Sequence, residues 1–241
     1  MGPFWVGVRE GNMVTWRCRF SDLVRSGLSP IRGIRLPCLS EGGDAGISGV
    51  ELPGEWSLQL LQALEWKRFE ELGAAYFEMK GHAVQMTGLG ADGGVDCYLY
   101  GRGGGVSKPL GAVQCKARRS SRIGVRPVRE LLGIMTDVGC PLGIFITTTT
   151  YTAEAEQFAV GKHIQLLVGN RFLSLIQSLP ADEQGELLAR ATAGDHWTPS
   201  SPRCGTKLIL RTARRGKRVG SQFWGCKNYP GCRYTMQVQA A

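Results

Sequence analysis

Helical and strand-like patterns of hydrophobic residues alternate between residues 58 and 192. From Leu58 to Gly81, apolar residues recur at helical spacing, which predicts one helix that ends at the glycine. Short apolar runs that predict strands are HAVQMT, VDCYLYG, LGAVQCKA, LGIFITTTT and HIQLLVG. Further helices are predicted at VRPVRELLGIMTDVG, TAEAEQFAVGK, NRFLSLIQSL and ADEQGELLARAT, with Thr152 as a cap. This alternation predicts an α/β domain, residues 58–195, with a mixed sheet flanked by helices.

The two ends of the chain lack this pattern. Residues 1–57 are rich in Gly, Arg and Pro without a sustained period, so we expect an irregular N-terminal extension. The segment HWTPSSPR, which begins at His196, contains two prolines and is expected to be a linker. Residues 203–241 alternate short strand-like pieces with turns, so the C-terminal region, 196–241, is expected to contain a small β-rich ribbon.

Composition narrows the class of protein. With 43% hydrophobic and 20% charged residues, most of the chain is expected to be globular. No apolar run approaches the roughly 18 residues of a membrane span, and no signal peptide is visible at the N-terminus. We therefore expect a cytoplasmic protein with no membrane partner. In that compartment its eight cysteines are free thiols or metal ligands.

The charge of the chain is unevenly distributed. Residues 1–195 contain 20 Lys+Arg and all 20 Asp+Glu, whereas the last 46 residues contain nine bases and no acid. The whole net charge of +9 therefore lies in the C-terminal region. Aromatic residues and cysteines are interleaved with these bases, which favours a surface that binds a polyanion over a solvated basic tail.

Three polar residues stand out against the apolar strands. Gln114 and Lys116 alternate with core residues and share one strand face, and Asp96 lies at the neighbouring strand of the predicted hairpin. Carboxylate and amide oxygens suit a hard cation such as Mg²⁺, and a lysine beside them can stabilise charge on an attacked phosphate. The alternative is an ordinary cross-strand ion pair between Asp96 and Lys116.

At these residues the chain resembles the catalytic domain of Mrr-type restriction endonucleases, within the PD-(D/E)xK nuclease superfamily. The resemblance runs from Trp66 to Leu175, and GADGGVD followed by QCK is its most specific part. It implies a restriction-endonuclease-like fold and Mg²⁺ or another divalent cation. The site residues it implies are Asp96 as main metal ligand, Gln114 as a second ligand, Lys116 as catalytic lysine, and Glu70 as a helix carboxylate. Glu71 is the adjacent alternative to Glu70.

The C-terminal region resembles the four-cysteine zinc ribbon of bacterial type I topoisomerases. Cys204, Cys226 and Cys232 match three of its cysteines, and Ser201 stands at the fourth position. A serine hydroxyl is a poor zinc ligand beside thiolates. Three outcomes stay open: His196 supplies a nitrogen, a water fills the fourth position, or the fold persists without Zn²⁺.

Cations and aromatic rings together suit single-stranded or distorted DNA. The candidate DNA-binding residues are Arg118, Arg119, Arg214, Arg215, Lys217, Arg218, Trp224, Lys227, Tyr229 and Arg233.

Together these features predict a metal-dependent DNA endonuclease that holds its substrate through a basic ribbon. The resemblance implies a biological role in defence against foreign or modified DNA. Alternatives are a DNA-binding protein without effective cleavage, acting in repair or nucleoid contacts, and an RNA-associated protein. A double-strand cut would favour a homodimer, because it needs two active sites.

Overall fold

The computed structural model describes residues 6–10, 13–17, 54–88, 94–101, 108–117 and 121–238. The chain divides into two compact units, Met1–Ser48 and Gly49–Ala241. In the first unit, β1 (Val6–Glu10) and β2 (Met13–Arg17) pair antiparallel. This hairpin lies within the segment for which we expected irregular structure. All other described elements belong to the second unit.

A five-stranded mixed sheet is the centre of the second unit. Its strands are β3 (Ala83–Met86), β4 (Cys97–Tyr100), β5 (Gly111–Lys116), β6 (Leu142–Thr147) and β7 (Ile164–Leu167), in that order across the sheet. β3, β4 and β5 pair antiparallel, and β5, β6 and β7 pair parallel. The predicted mixed sheet is therefore confirmed, and every predicted strand is present.

Helices flank this sheet where the sequence predicts them. After β5 come α3 (Val125–Val138), α4 (Ala153–Ala159), α5 (Gly169–Gln177) and α6 (Ala181–Thr192). Thr152 caps α4 as predicted, since its Oγ1 accepts a hydrogen bond from the Ala155 amide at 3.3 Å.

The long first helix is broken, contrary to prediction. The structure has α1 (Leu58–Ala63) and α2 (Trp66–Met79), with Glu65 in an extended conformation between them. The Glu65 side chain caps neither helix and instead contacts the C-terminal region. The apolar periodicity continues across this break, because both helices pack their apolar residues into the same core.

Two hydrophobic clusters cover the faces of the sheet. One contains Phe69, Leu72 and Phe172 and packs α2, α5 and α6 against β4 and β5. The other contains Leu131, Phe145 and Tyr151 and packs α3 and α4 against the opposite face. Because β5 is covered on both faces, its first five residues are all buried. A polar side chain on this strand is therefore enclosed by protein.

The C-terminal region forms a separate small sheet. β8 (Leu208–Thr212), β9 (Gln222–Cys226) and β10 (Thr235–Gln237) pair antiparallel in the order β10-β9-β8. This confirms the predicted ribbon. The segment before it is not a free linker, because His196, Ser200 and Ser201 are buried.

Among the described residues, no helix is both long and apolar enough to cross a membrane.

Candidate active site

Two carboxyl groups meet between α2 and the sheet. Glu70 lies on α2, Asp96 directly precedes β4, and their side chains are hydrogen-bonded. Burial, together with the negative charge of Asp96, raises the pKa of Glu70 to about 9. Burial also raises the pKa of Asp96 to about 6, opposed by a backbone hydrogen bond and by the charge of Lys116. Both shifts favour one proton on the pair, which forms the hydrogen bond between the two carboxyl groups.

The close approach of α2 to β5 brings Glu70 to this position. A Cβ on Gly73 would lie only 2.7 Å from the Cys115 Sγ, so glycine lets the helix lie directly on the strand. Asp96 Oδ2 accepts a hydrogen bond from the Cys115 amide at 2.5 Å. The same strand residue thus fixes both the helix and the carboxylate. Glu70 is one turn before Gly73, on the part of α2 that this contact holds against the sheet.

Gln114 is the most enclosed of the candidate residues. Its side chain is 2% exposed, and Oε1 has no hydrogen-bond partner among the described residues. The Nε2 atom lies against Gly94, where a Cβ would be only 2.7 Å away and where φ is +99°. An unpaired buried amide oxygen is costly, and Oε1 is an acceptor without a donor among the described residues.

Lys116 is the last residue of β5, and hydrogen bonds to its backbone carbonyl hold it in position. Its carbonyl accepts hydrogen bonds from Thr147 Oγ1 at 3.0 Å and from the Thr148 amide at 3.4 Å. Both threonines are at most 2% exposed. These threonines are not among the site residues that the sequence predicts. The signal for them is a run of threonines at the end of a predicted strand that neighbours the QCK strand.

The structure distinguishes Glu70 from its neighbour Glu71. Glu71 lies on the outer side of α2, 3.5 Å from Arg68, and its side chain is 43% exposed. Adjacent helix residues face different directions, so only Glu70 reaches Asp96. Asp96 and Glu70 are in contact, Lys116 is close enough to lower the Asp96 pKa, and Gln114 is two residues before Lys116 on β5.

Two of the predicted DNA-binding arginines, Arg118 and Arg119, follow β5. Arg118 and Arg119 lie outside the described residues. Two further arginines on α3 are engaged in ion pairs, Arg126 with Glu130 at 3.0 Å and Arg129 with Glu154 at 3.3 Å.

Three cysteines of the C-terminal region form a second polar cluster. The Sγ atoms of Cys204, Cys226 and Cys232 lie within 4.8 Å of one another. Hydrogen bonds from Thr206 lower the pKa of Cys204 to about 6, which favours its thiolate. Burial raises the pKa of Cys226. Three thiols at this separation can act as ligands of a single tetrahedral metal ion.

Ser201 completes this cluster. It is fully buried, and its Oγ lies 3.5 Å from the Cys232 Sγ and accepts a hydrogen bond from the Arg203 amide. His196 does not join the described thiol group, since its Nδ1 contacts the Gly194 carbonyl and its ring packs against Trp197. Of the three outcomes for the fourth ligand, the histidine nitrogen is therefore not supported.

Most basic residues of the ribbon are exposed to solvent. The predicted DNA-binding cations that the structure exposes there are Arg214, Arg215, Lys217, Arg218, Lys227 and Arg233. Tyr229 is 61% exposed, with Arg211 6.0 Å from its ring centroid. Trp224 is half-buried and packs toward the ribbon core. Tyr229 is thus the more accessible ring for stacking.

Comparisons with known proteins cover both clusters. Residues 61–176 match a family profile described as restriction endonuclease, and residues 201–241 match one described as topoisomerase DNA-binding C4 zinc finger. No curated protein matches the chain.

Solved structures similar to this chain include two restriction endonucleases. One is the MspJI restriction endonuclease in complex with a 27-mer oligonucleotide, with 19% identity, a TM-score of 0.40, and coverage of 56% of this chain and 34% of that chain. Another is the DNA modification-dependent restriction endonuclease AspBHI, with 19% identity, a TM-score of 0.43, and coverage of 56% and 38%. The chain therefore spans well under half the length of either relative.

Proposed function

Because residues 61–176 match a restriction-endonuclease family profile and residues 201–241 match a topoisomerase zinc-finger profile, we propose that this protein is a metal-dependent DNA endonuclease. It hydrolyses phosphodiester bonds, and its basic ribbon tethers the DNA. The observation that carries the proposal is the half-buried Glu70–Asp96 carboxyl pair with Lys116 nearby. A structural ion pair between Asp96 and Lys116 would not need a second carboxyl group beside it.

The donor set fits a hard divalent cation. Asp96 and Glu70 offer carboxylate oxygens, and without a cation their mutual repulsion is relieved by a shared proton. Gln114 offers the orphaned Oε1, an oxygen that lacks a partner among the described residues. All three donors are oxygens, which Mg²⁺ prefers. When bound there, the cation supplies Lewis-acid activation of water and of the scissile phosphate.

The chain's own residues contribute orientation and charge. The Cys115 amide holds Asp96 in place, and the Thr147 and Thr148 contacts fix the backbone of Lys116. The Lys116 ammonium stabilises negative charge on the attacked phosphate and orients the attacking water. One chain has one such site, so it nicks one strand, and a double-strand cut takes two copies.

The ribbon holds DNA through charge and stacking. Its exposed Lys and Arg side chains contact phosphates, and Tyr229 stacks on an unpaired nucleobase. Cys204, Cys226 and Cys232 hold Zn²⁺, more weakly than four thiolates would because the fourth position is a serine. The metal would have a structural role, since its ligands Cys204, Cys226 and Cys232 lie in a turn before β8, at the end of β9 and after the turn that follows β9.

The test uses two neighbouring glutamates on α2. Glu70→Gln removes a half-buried carboxylate of the site, whereas Glu71→Gln changes only the ion pair with Arg68 on the outer side of α2. With Mg²⁺, we expect Glu70→Gln to slow nicking of supercoiled plasmid by on the order of 10²-fold, as expected for the loss of one charged catalytic group. Glu71→Gln should cut at the wild-type rate.

Two results would count against this proposal. Equal nicking by both variants would remove Glu70 from the site. Unimpaired DNA binding without cleavage by the wild type, on methylated and unmodified DNA, would instead favour the non-catalytic DNA-binding protein.

A further inference from the structure

A buried carboxylate joins the catalytic domain to the ribbon. Glu65, between α1 and α2, has a side chain only 4% exposed. Its Oε1 accepts from Ser200 Oγ at 2.9 Å and from Lys207 Nζ at 3.0 Å, and its Oε2 accepts from the Ser200 amide at 3.0 Å. We call this group of Glu65, Ser200 and Lys207 the Glu65 clasp. It links positions up to 142 residues apart.

Further hydrogen bonds reinforce the clasp. The Trp66 indole donates to the Ser200 carbonyl at 2.9 Å, and the Glu65 amide donates to the His196 carbonyl at 2.9 Å. Lys207 Nζ also donates to the Thr198 carbonyl at 2.8 Å. The segment between the two domains is therefore fixed along the beginning of α2, where a flexible tether would make no such contacts.

Both charged groups of the clasp have several hydrogen-bond partners. A buried carboxylate is tolerated when charged and neutral donors satisfy its oxygens, and Glu65 has three of them. Lys207 has two acceptors on the protein, and its side chain is only 33% exposed. Lys207 is one of the nine bases of the C-terminal region, yet its charge is directed inward rather than to solvent.

The clasp is attached to the helix that carries Glu70, five residues after Glu65. We propose that Glu65 is a positioning residue that holds the ribbon as a fixed arm on the active-site helix, with Lys207 serving this contact and not DNA. The consequence for cleavage rests on the proposed function: DNA bound to a fixed arm reaches the active site at a constant offset.

Two lysines provide matched variants in the full chain. Lys207→Met breaks the clasp, and Lys227→Met removes the same charge from an exposed position of the ribbon. In ¹⁵N relaxation without DNA, ribbon and catalytic amides of the wild type and of Lys227→Met should share one rotational correlation time. In Lys207→Met, the ribbon amides should show a shorter correlation time than the catalytic amides. Equal correlation times in all three proteins would overturn the proposal.

In the salt dependence of DNA binding, we expect an effect from Lys227→Met and none from Lys207→Met. Each phosphate contact contributes about 0.9 to the slope of log K against log salt on duplex DNA. Lys227→Met should reduce the slope by about that amount, whereas Lys207→Met should leave it unchanged. A reduced slope for Lys207→Met would contradict the clasp. No change for Lys227→Met would count against the DNA-tethering role and leave the clasp standing.

The pattern of cuts tests positioning directly. On an end-labelled duplex with one single-stranded gap, the wild type should cut within a narrow window from the gap, and Lys207→Met should cut over a wider one. The variant Glu65→Gln/Lys207→Met removes both charges and keeps the Ser200 donors, so it is the check if Lys207→Met unfolds. A narrow window for this folded double variant would overturn the proposal.

Discussion

The sheet domain and the ribbon each contain a cluster of potential metal donors in which a neutral residue stands at a position where a family resemblance implies a charged one. In the first, Gln114 stands where the resemblance to Mrr-type nucleases implies an acid in most of the superfamily, and in the second Ser201 stands where the resemblance to the zinc ribbon implies a cysteine. Both residues are at most 2% exposed, so neither is a substitution at the protein surface. The same kind of change nevertheless has different chemical consequences in the two clusters.

The difference follows from the donor that each replacement offers. An amide oxygen remains a good ligand for a hard cation, and Gln114 Oε1 has no competing partner among the described residues. A hydroxyl is a poor ligand for zinc, and Ser201 Oγ already accepts from the Arg203 amide. A neutral substitute thus preserves the oxygen site and weakens the thiol site.

The largest effect that sharpens this comparison is expected from Ser201→Cys. Four ligands of a structural zinc site together contribute about 10–16 kcal/mol, so a fourth thiolate should tighten binding by on the order of 10²-fold. Titration with Co²⁺ measures this through the affinity and the intensity of the tetrahedral d–d absorption. Ser221→Cys is the control, because it adds a thiol at an exposed position.

If Ser201→Cys and the wild type bind Co²⁺ equally, the serine does not occupy the fourth ligand position. If Ser221→Cys tightens binding to the same extent, the effect does not come from the cluster.

A smaller effect is expected from the carboxyl pair, in how the free energy of unfolding depends on pH. The pKa of Glu70 is about 9 in the folded protein against an ordinary value of 4.5, so the folded state binds more protons between these values. Stability of the metal-free protein should therefore fall as pH rises through this range, by at most about 1.4 kcal/mol per pH unit and proton. Thermal unfolding in EDTA measures it.

Glu70→Gln removes the titrating group, so the unfolding midpoint of this variant should vary less with pH. Mg²⁺ should also flatten the dependence, because it replaces the shared proton. A midpoint that falls equally in wild type and variant would assign the pH dependence to other groups.

Much of the catalytic domain could be predicted from local pattern. Period-2 and period-3.6 apolar spacing was enough for the strands and for most helices, because each element buries one continuous face or lies wholly in the core. Asp96 and Lys116 could be paired from the predicted hairpin, because β4 and β5 are adjacent antiparallel strands. The choice of Glu70 over Glu71 required the family resemblance.

Contacts distant in sequence could not be predicted. At the break between α1 and α2, Glu65 binds Ser200 and Lys207, and these distant contacts are not revealed by any local pattern. For the same reason no local pattern separates Lys207, which binds Glu65, from the other eight bases of the C-terminal region. Thr147 and Thr148 join the site only because β6 lies beside β5 in parallel register.

The central claim is that the carboxyl pair and Lys116 form a metal-dependent hydrolytic site. The most direct test is nicking of supercoiled plasmid with Mg²⁺ or with EDTA, comparing wild type, Asp96→Asn and Lys116→Ala. We expect nicking by the wild type that requires Mg²⁺, and a loss of at least about 10²-fold in each variant with DNA binding retained. Metal-independent nicking, or equal nicking by Lys116→Ala, would contradict the claim.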